Sequence, residues 1–182
     1  MNEIDTFNKR VVALHHALGI APDYIENSKL AFCREPRELV DTEPDFYQRP
    51  QKLTPEAFHA WTMMKNTADA SGIVLLLISA FRDIEYQYHL IARKVQEGRS
   101  IEEVLAVNAA PGYSEHHTGR ALDIGTIGCD PLVEEFENTT AFIWLTSNAA
   151  TFGFTMTYPR KNTYGIDYEP WHWCFTGVKP SL

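Results

Sequence analysis

Apolar residues at Ile4, Phe7, Val11, Leu14 and Leu18 recur every three or four positions, the spacing of one face of an amphipathic helix, and Gly19 follows as its stop. From Ala21 to Lys52 the period is lost. That stretch holds Pro22, Pro36, Pro44 and Pro50 among many charges, so it is expected to wrap irregularly over the surface. Regular patterning resumes at Thr54-Pro55-Glu56, where Thr can cap free amides and Pro is tolerated in a first turn. The helix opened there is expected to run to about Ser71, with Gly72 as its C-terminal cap.

Ile73 to Ile78 is a short apolar run directly after that glycine and reads as a strand buried on both faces. Its far end delivers Ser79, Phe81 and Arg82 to a surface or cleft. A helix is expected from about Ile84 to Glu97, closed by Gly98, and Ser100 with Glu103 forms a capping box for a short helix after it. Pro111-Gly112 breaks the pattern, and Ala121 to Ile124 alternates as a strand does. Phe142, Leu145 and Ala149 mark a helix over about Thr140 to Ala150, ended by Gly153. Phe154 to Tyr158 and Trp171 to Phe175 read as paired strands around a loop. Helices and strands alternate without a regular βαβ rhythm, which favours an α+β fold with a small central antiparallel sheet flanked by helices. The expected organisation is an N-terminal helix and wrapping segment over residues 1–52 and a main domain over residues 53–182, forming one compact unit.

Composition narrows the function classes. With 16 basic and 24 acidic residues the 182-residue chain has a formal charge of −8, which argues against a nucleic-acid partner. The longest apolar run, Ile73 to Ala80 with Ser79 inside it, falls well short of the roughly 20 residues that span a bilayer, so no transmembrane segment is expected. Met1 to Asp5 shows no basic stretch leading into an apolar one, the pattern of a secretory signal. Cys33, Cys129 and Cys174 allow at most one disulfide and have no C-x-x-C spacing; they are expected to pack as free thiols.

The chemistry concentrates in two stretches. Ser114-Glu115-His116-His117-Thr118-Gly119-Arg120-Ala121-Leu122-Asp123 places an imidazole and a carboxylate seven positions apart, where a loop running into a strand can converge them on one ion. Tyr168-Glu169-Pro170-Trp171-His172-Trp173 adds a second histidine with a glutamate three residues before it. Two histidines and an aspartate supply the three protein ligands of a catalytic zinc that keeps a fourth position open, and Glu169 is left as a general base. Alone, the first stretch is more readily a surface or packed histidine than a ligand, and the second is as readily a core strand with a satisfied histidine. The pairing of the two changes that weighting.

Ser-x-His-x-x-Gly-x-Ala-x-Asp at 114–123, followed by Tyr-Glu-Pro-Trp-His-Trp at 168–173, resembles the VanY-like zinc D-alanyl-D-alanine carboxypeptidases of the LAS metallopeptidase group. Ser79-Ala80-Phe81-Arg82-Asp83 with Glu85-Tyr86-Gln87, and Phe152-Gly153-Phe154 with Tyr158-Pro159, are similar to further segments of that family, so the likeness runs over roughly Leu53 to Phe175. The resemblance implies the LAS/hedgehog-type fold and one catalytic Zn2+ held by His116, Asp123 and His172. It implies Glu169 as the base and Arg82 as the group that receives a substrate carboxylate. Arg82 suits that role because a guanidinium fork binds a carboxylate bidentately. Gln87 and Ser114 are candidate substrate-binding residues beside it.

Departures from the pattern are Ala80 for Gly, Asp83 for Ser and Thr157 for Ser. Asp83 places an extra negative charge next to Arg82, which bears on substrate preference. Cys174, two residues from His172 on a strand, faces the same side as a neighbour of the site. The implied substrate is a peptidoglycan stem peptide or muropeptide, which places the protein in the cell envelope or periplasm, or in cytoplasmic muropeptide processing. L,D-carboxypeptidase, D,D-dipeptidase and non-catalytic peptidoglycan-binding readings stay open at this point. Oligomeric state has no signal in the sequence.

Overall fold

The computed structural model describes residues 3–177, with side chains from Thr6 onward. Helix α1 (Glu3–Leu18) turns Val11 and Leu18 inward and leaves Val12 exposed, as the stripe requires; the Ile4 side chain lies outside the described residues. After it come a single turn, α2 (Tyr24–Asn27), and a two-residue strand β1 (Val40–Asp41) that pairs antiparallel with β2 (Lys52–Leu53). The wrapping segment therefore contains a short ladder that the proline-rich pattern hid.

Thr54 caps α3 (Pro55–Ala70) through its side chain, which accepts from the Ala57 amide, and Pro55 occupies the first helical position as expected. Strand β3 covers Leu76–Ser79 rather than starting at Ile73. The Ile73 amide is still bonded to the Ala68 carbonyl, so the helix end holds that residue and the strand begins only where it can pair. Asp83 caps α4 (Ile84–Gln96) by accepting from the Tyr86 amide at 2.7 Å. The negative charge beside Arg82 thus satisfies a helix start. The capping box of Ser100 and Glu103 opens α5 (Ile101–Leu105).

A 3-10 turn over Glu115–Thr118 leads into β4 (Ala121–Gly125). Helix α6 (Thr140–Asn148) gives way to a 3-10 turn over Ala149–Phe152, and strands β5 (Phe154–Met156) and β6 (His172–Phe175) follow. The sheet has the order β3-β4-β6-β5 with every neighbouring pair antiparallel, the α+β arrangement expected from the pattern. All of β4 and β6 is buried, both being interior strands of the sheet, so the alternation read at Ala121 to Ile124 does not mark a solvent face.

The main core packs the sheet against α3 and α6 around Trp61, Phe136, Leu145, Phe154 and Trp173. A smaller core joins α1 to α4 and α5 through Leu18, Ile91, Val104 and Tyr113. The N-terminal segment is bonded into the sheet as well. Phe46 donates its amide to the Leu77 carbonyl, and Phe81 to that of Lys52, while Gln51 Oε1 accepts the Ala80 amide at 2.9 Å. Among the described residues no helix is long and apolar enough to cross a membrane.

Candidate active site

The antiparallel register sets two ligand candidates side by side. Asp123 on β4 is the cross-strand partner of His172 on β6, and adjacent strands place such side chains close enough to meet. His116 reaches the same point from the 3-10 turn before β4, which Gly119 ends in the left-handed region at φ +64°. The left-handed conformation there favours glycine, and a Cβ at this position would stand 2.7 Å from Leu39 Cδ2 and displace that side chain. One ligand atom each from His116, Asp123 and His172 lies within 4.8 Å of the other two, and all three residues are buried. Asp123 Oδ1 is 3.3 Å from His116 Nε2 and 3.3 Å from His172 Nδ1.

The outer ring nitrogens fix which atom each histidine presents. His116 Nδ1 donates to the Ala80 carbonyl at 2.6 Å, so Nε2 carries the lone pair; this buried atom has no hydrogen-bond partner among the described residues. His172 Nε2 donates to Glu115 Oε2 at 2.9 Å, which turns Nδ1 inward. Glu115 in turn accepts from Thr157 Oγ1 at 2.8 Å and from the Cys174 thiol. Two imidazole nitrogens, each oriented from behind, and one carboxylate oxygen make a donor set that fits zinc with a position left open.

The electrostatics follow from burial and close pairing. Burial holds His116 down at about 4, with the Arg82 charge adding to the effect. Burial works against the charged form of Asp123 too, but His116, His172 and Arg82 outweigh it and hold the carboxyl far below its usual range. In His172 the two carboxylates overcome burial and push the imidazole up to about 10; a dication at the cluster would take over the place of that proton. Burial raises Glu169 to about 7, against the opposing pull of His172. Its Oε2 lies 3.9 Å from His172 Nδ1, at the edge of the cluster and outside it.

A cavity of about 290 Å³ opens on this cluster, and all seven of the expected residues line it: Arg82, Gln87, Ser114, His116, Asp123, Glu169 and His172. Arg82 follows β3 and is gripped through its backbone. Its amide donates to the His116 carbonyl at 3.3 Å, and its carbonyl accepts from His117 Nδ1 at 2.6 Å. His117 is therefore occupied in holding Arg82 and lies outside the ligand cluster. The Arg82 guanidinium sits 3.9 Å from Asp123 Oδ2, and its buried Nε has no hydrogen-bond partner among the described residues. Gln87 donates to the Ala109 carbonyl at 2.8 Å, leaving its buried Oε1 similarly unpartnered.

Three features escaped the sequence pattern. Glu115, the acceptor behind His172, sits beside a ligand candidate, and its charge inside an otherwise buried motif was the one signal available. Tyr158 packs its ring 4.8 Å from that of His172. Lys94 lines the cavity from α4. Cys33, Cys129 and Cys174 are all free thiols, as expected.

A small antiparallel sheet with flanking helices is the fold of LAS-type carboxypeptidases, and here it carries a buried His-Asp-His cluster with the Glu169 carboxylate and the Arg82 guanidinium beside it. The chain belongs to the VanY family, described as D-alanyl-D-alanine carboxypeptidase, whose model matches residues 50–178. It is 35% identical over 154 residues to YodJ of Bacillus subtilis, a carboxypeptidase by provisional assignment, covering 80% of this chain and 55% of that one. It is 31% identical over 124 residues to a D-alanyl-D-alanine carboxypeptidase of Enterococcus faecalis, covering 63% of this chain and 44% of the relative. The chain thus spans about half the length of these curated relatives. Among solved structures, the LdcB LD-carboxypeptidase superposes with a TM-score of 0.71 at 30% identity, over 80% of this chain and 71% of that one.

Proposed function

We propose that the protein is a zinc-dependent D-alanyl-D-alanine carboxypeptidase that removes the C-terminal D-Ala from peptidoglycan stem peptides. The observation that carries this reading is the placement of the Glu169 carboxylate, 3.9 Å from the inward nitrogen of His172, in a cavity that also presents Arg82. His116 Nε2, Asp123 Oδ1 and His172 Nδ1 would hold the ion. Zinc bound there supplies polarisation of the scissile carbonyl and lowers the pKa of a water to about 7.

The chain's own groups do the rest. Glu169 takes a proton from the attacking water and returns it to the departing amine of D-Ala, so the carboxylate is regenerated as the amide bond is replaced by a carboxylate and an amine. Arg82, with its free Nε, receives the terminal carboxylate, and its charge also opposes the negative charge that develops on the scissile carbonyl oxygen. Gln87 Oε1 and Ser114 offer hydrogen bonds to the peptide backbone along the same wall. This substrate class fits the cell envelope or periplasm, with cytoplasmic muropeptide processing as the alternative. The resemblance to LdcB supports a second reading, removal of D-Ala from a tetrapeptide stem.

Replacing Glu169→Gln separates binding from chemistry. D-Ala release, followed by mass spectrometry on pentapeptide and tetrapeptide stems, is expected to fall by roughly 10²- to 10⁴-fold in this variant with zinc content unchanged. Hydrolysis near the wild-type rate would remove Glu169 from its role. Cleavage by the wild type of the tetrapeptide stem alone would transfer the assignment to the L,D reading.

A further inference from the structure

Helix α4 contributes to the wall of the same cavity. Gln87 and Lys94 both line it, and positions seven apart fall on one helix face, so the two side chains form a single wall. At about 1.5 Å per residue, the Lys94 Cα stands roughly 10 Å beyond that of Gln87 along the helix axis. An extended peptide covers such a distance in about three residues.

Lys94 is half-buried, and its ammonium donates at 3.0 Å to Asn108 Oδ1, a neutral group that leaves the charge uncompensated at that contact. The charges that act on it are mostly of its own sign. Arg99, Arg82 and Arg93 join burial in lowering its pKa, and Glu169 opposes them. A cation on a cavity wall that Arg82 also lines, bonded to an amide rather than to a carboxylate, is arranged to receive an anion from the ligand.

Resting on the carboxypeptidase reading above, we propose that Lys94 is a specificity-determining residue that binds a second carboxylate of the substrate, on a side chain two residues before the C-terminal one. With the terminal carboxylate at Arg82, that position falls on the third residue of a pentapeptide stem. The chemistry selects a third residue that is a diamino dicarboxylic acid, such as meso-diaminopimelate, over lysine, whose side chain ends in an ammonium with no carboxylate beside it for Lys94 to bind.

The test compares two synthetic pentapeptide stems that differ only in meso-diaminopimelate or lysine at the third residue. Wild-type kcat/KM is expected to favour the diaminopimelate stem by about tenfold, the size of one charge-assisted hydrogen bond. In Lys94→Met the ratio should fall to near one, and Lys94→Arg should largely restore it. A wild-type ratio near one would overturn the proposal. So would a Lys94→Met variant that loses activity equally on both stems, which would assign the lysine to the field around Glu169. If the wild type cleaves neither stem, the carboxypeptidase reading falls. The ratio of dissociation constants for the same two stems, measured by calorimetry on the zinc-loaded protein, then decides Lys94 alone.

Discussion

The two histidines that face each other across the candidate metal cluster are held in opposite ways. His116 is oriented by a backbone carbonyl, that of Ala80 at the end of β3. Behind that carbonyl the support continues into the N-terminal segment, where Gln51 accepts the Ala80 amide and donates to the fully buried Asp45 at 2.8 Å. Asp45 also accepts from the amides of Tyr47 and Arg49. His172 is oriented by a side chain, Glu115, which is itself steadied by Thr157 and Cys174. A backbone acceptor cannot be mutated away, whereas a carboxylate can. One ligand is therefore secured by the fold, and the other by a removable residue.

The larger effect is expected on the side-chain arm. Glu115→Gln keeps the shape but replaces the charged acceptor, and it weakens the ion's hold by roughly 10- to 100-fold, as loss of an outer partner of a metal-bound histidine does. Competitive titration with a zinc chelator reads this directly. An unchanged zinc affinity would show that His172 orients without its carboxylate.

The backbone arm is expected to respond in stability instead. Gln51→Leu leaves the Ala80 amide without its acceptor and removes one donor from Asp45, at a cost of about 1–3 kcal/mol in unfolding free energy. Zinc affinity should change by less than about threefold, because the Ala80 carbonyl that accepts from His116 remains. A denaturant melt and the same chelator titration check the pair of values. A zinc loss as large as that of Glu115→Gln would erase the contrast between the two arms.

The contrast also explains what the sequence could show. Ser114 to Asp123 and Tyr168 to Trp173 stood out because ligand residue types and spacing are local properties, and the structure brings their candidate residues into one cavity. Thr54, Ser100 and Gly153 marked element boundaries for the same reason, since capping acts within a few residues. Asp45 and Gln51 gave no such signal. Their partners at Ala80 and, through it, His116 are remote in sequence, and an acid in a proline-rich stretch reads as solvated until the fold buries it. The short β1-β2 ladder was hidden likewise, because two-residue strands have too few positions to show alternation. Lys94 gave no signal either, because the loop over 107–109 and the stretch 166–169 that line the cavity with it are remote in sequence.

The central claim is that His116, Asp123 and His172 hold one ion on which the rest of the cavity depends. Zinc stoichiometry, measured by elemental analysis on the folded protein after reconstitution and desalting, tests it most directly, with Asp123→Ala as the comparison. The account predicts one zinc per chain in the wild type and a loss of most of it in the folded variant. Equal zinc content in the two proteins, or a wild type that retains none, would contradict it.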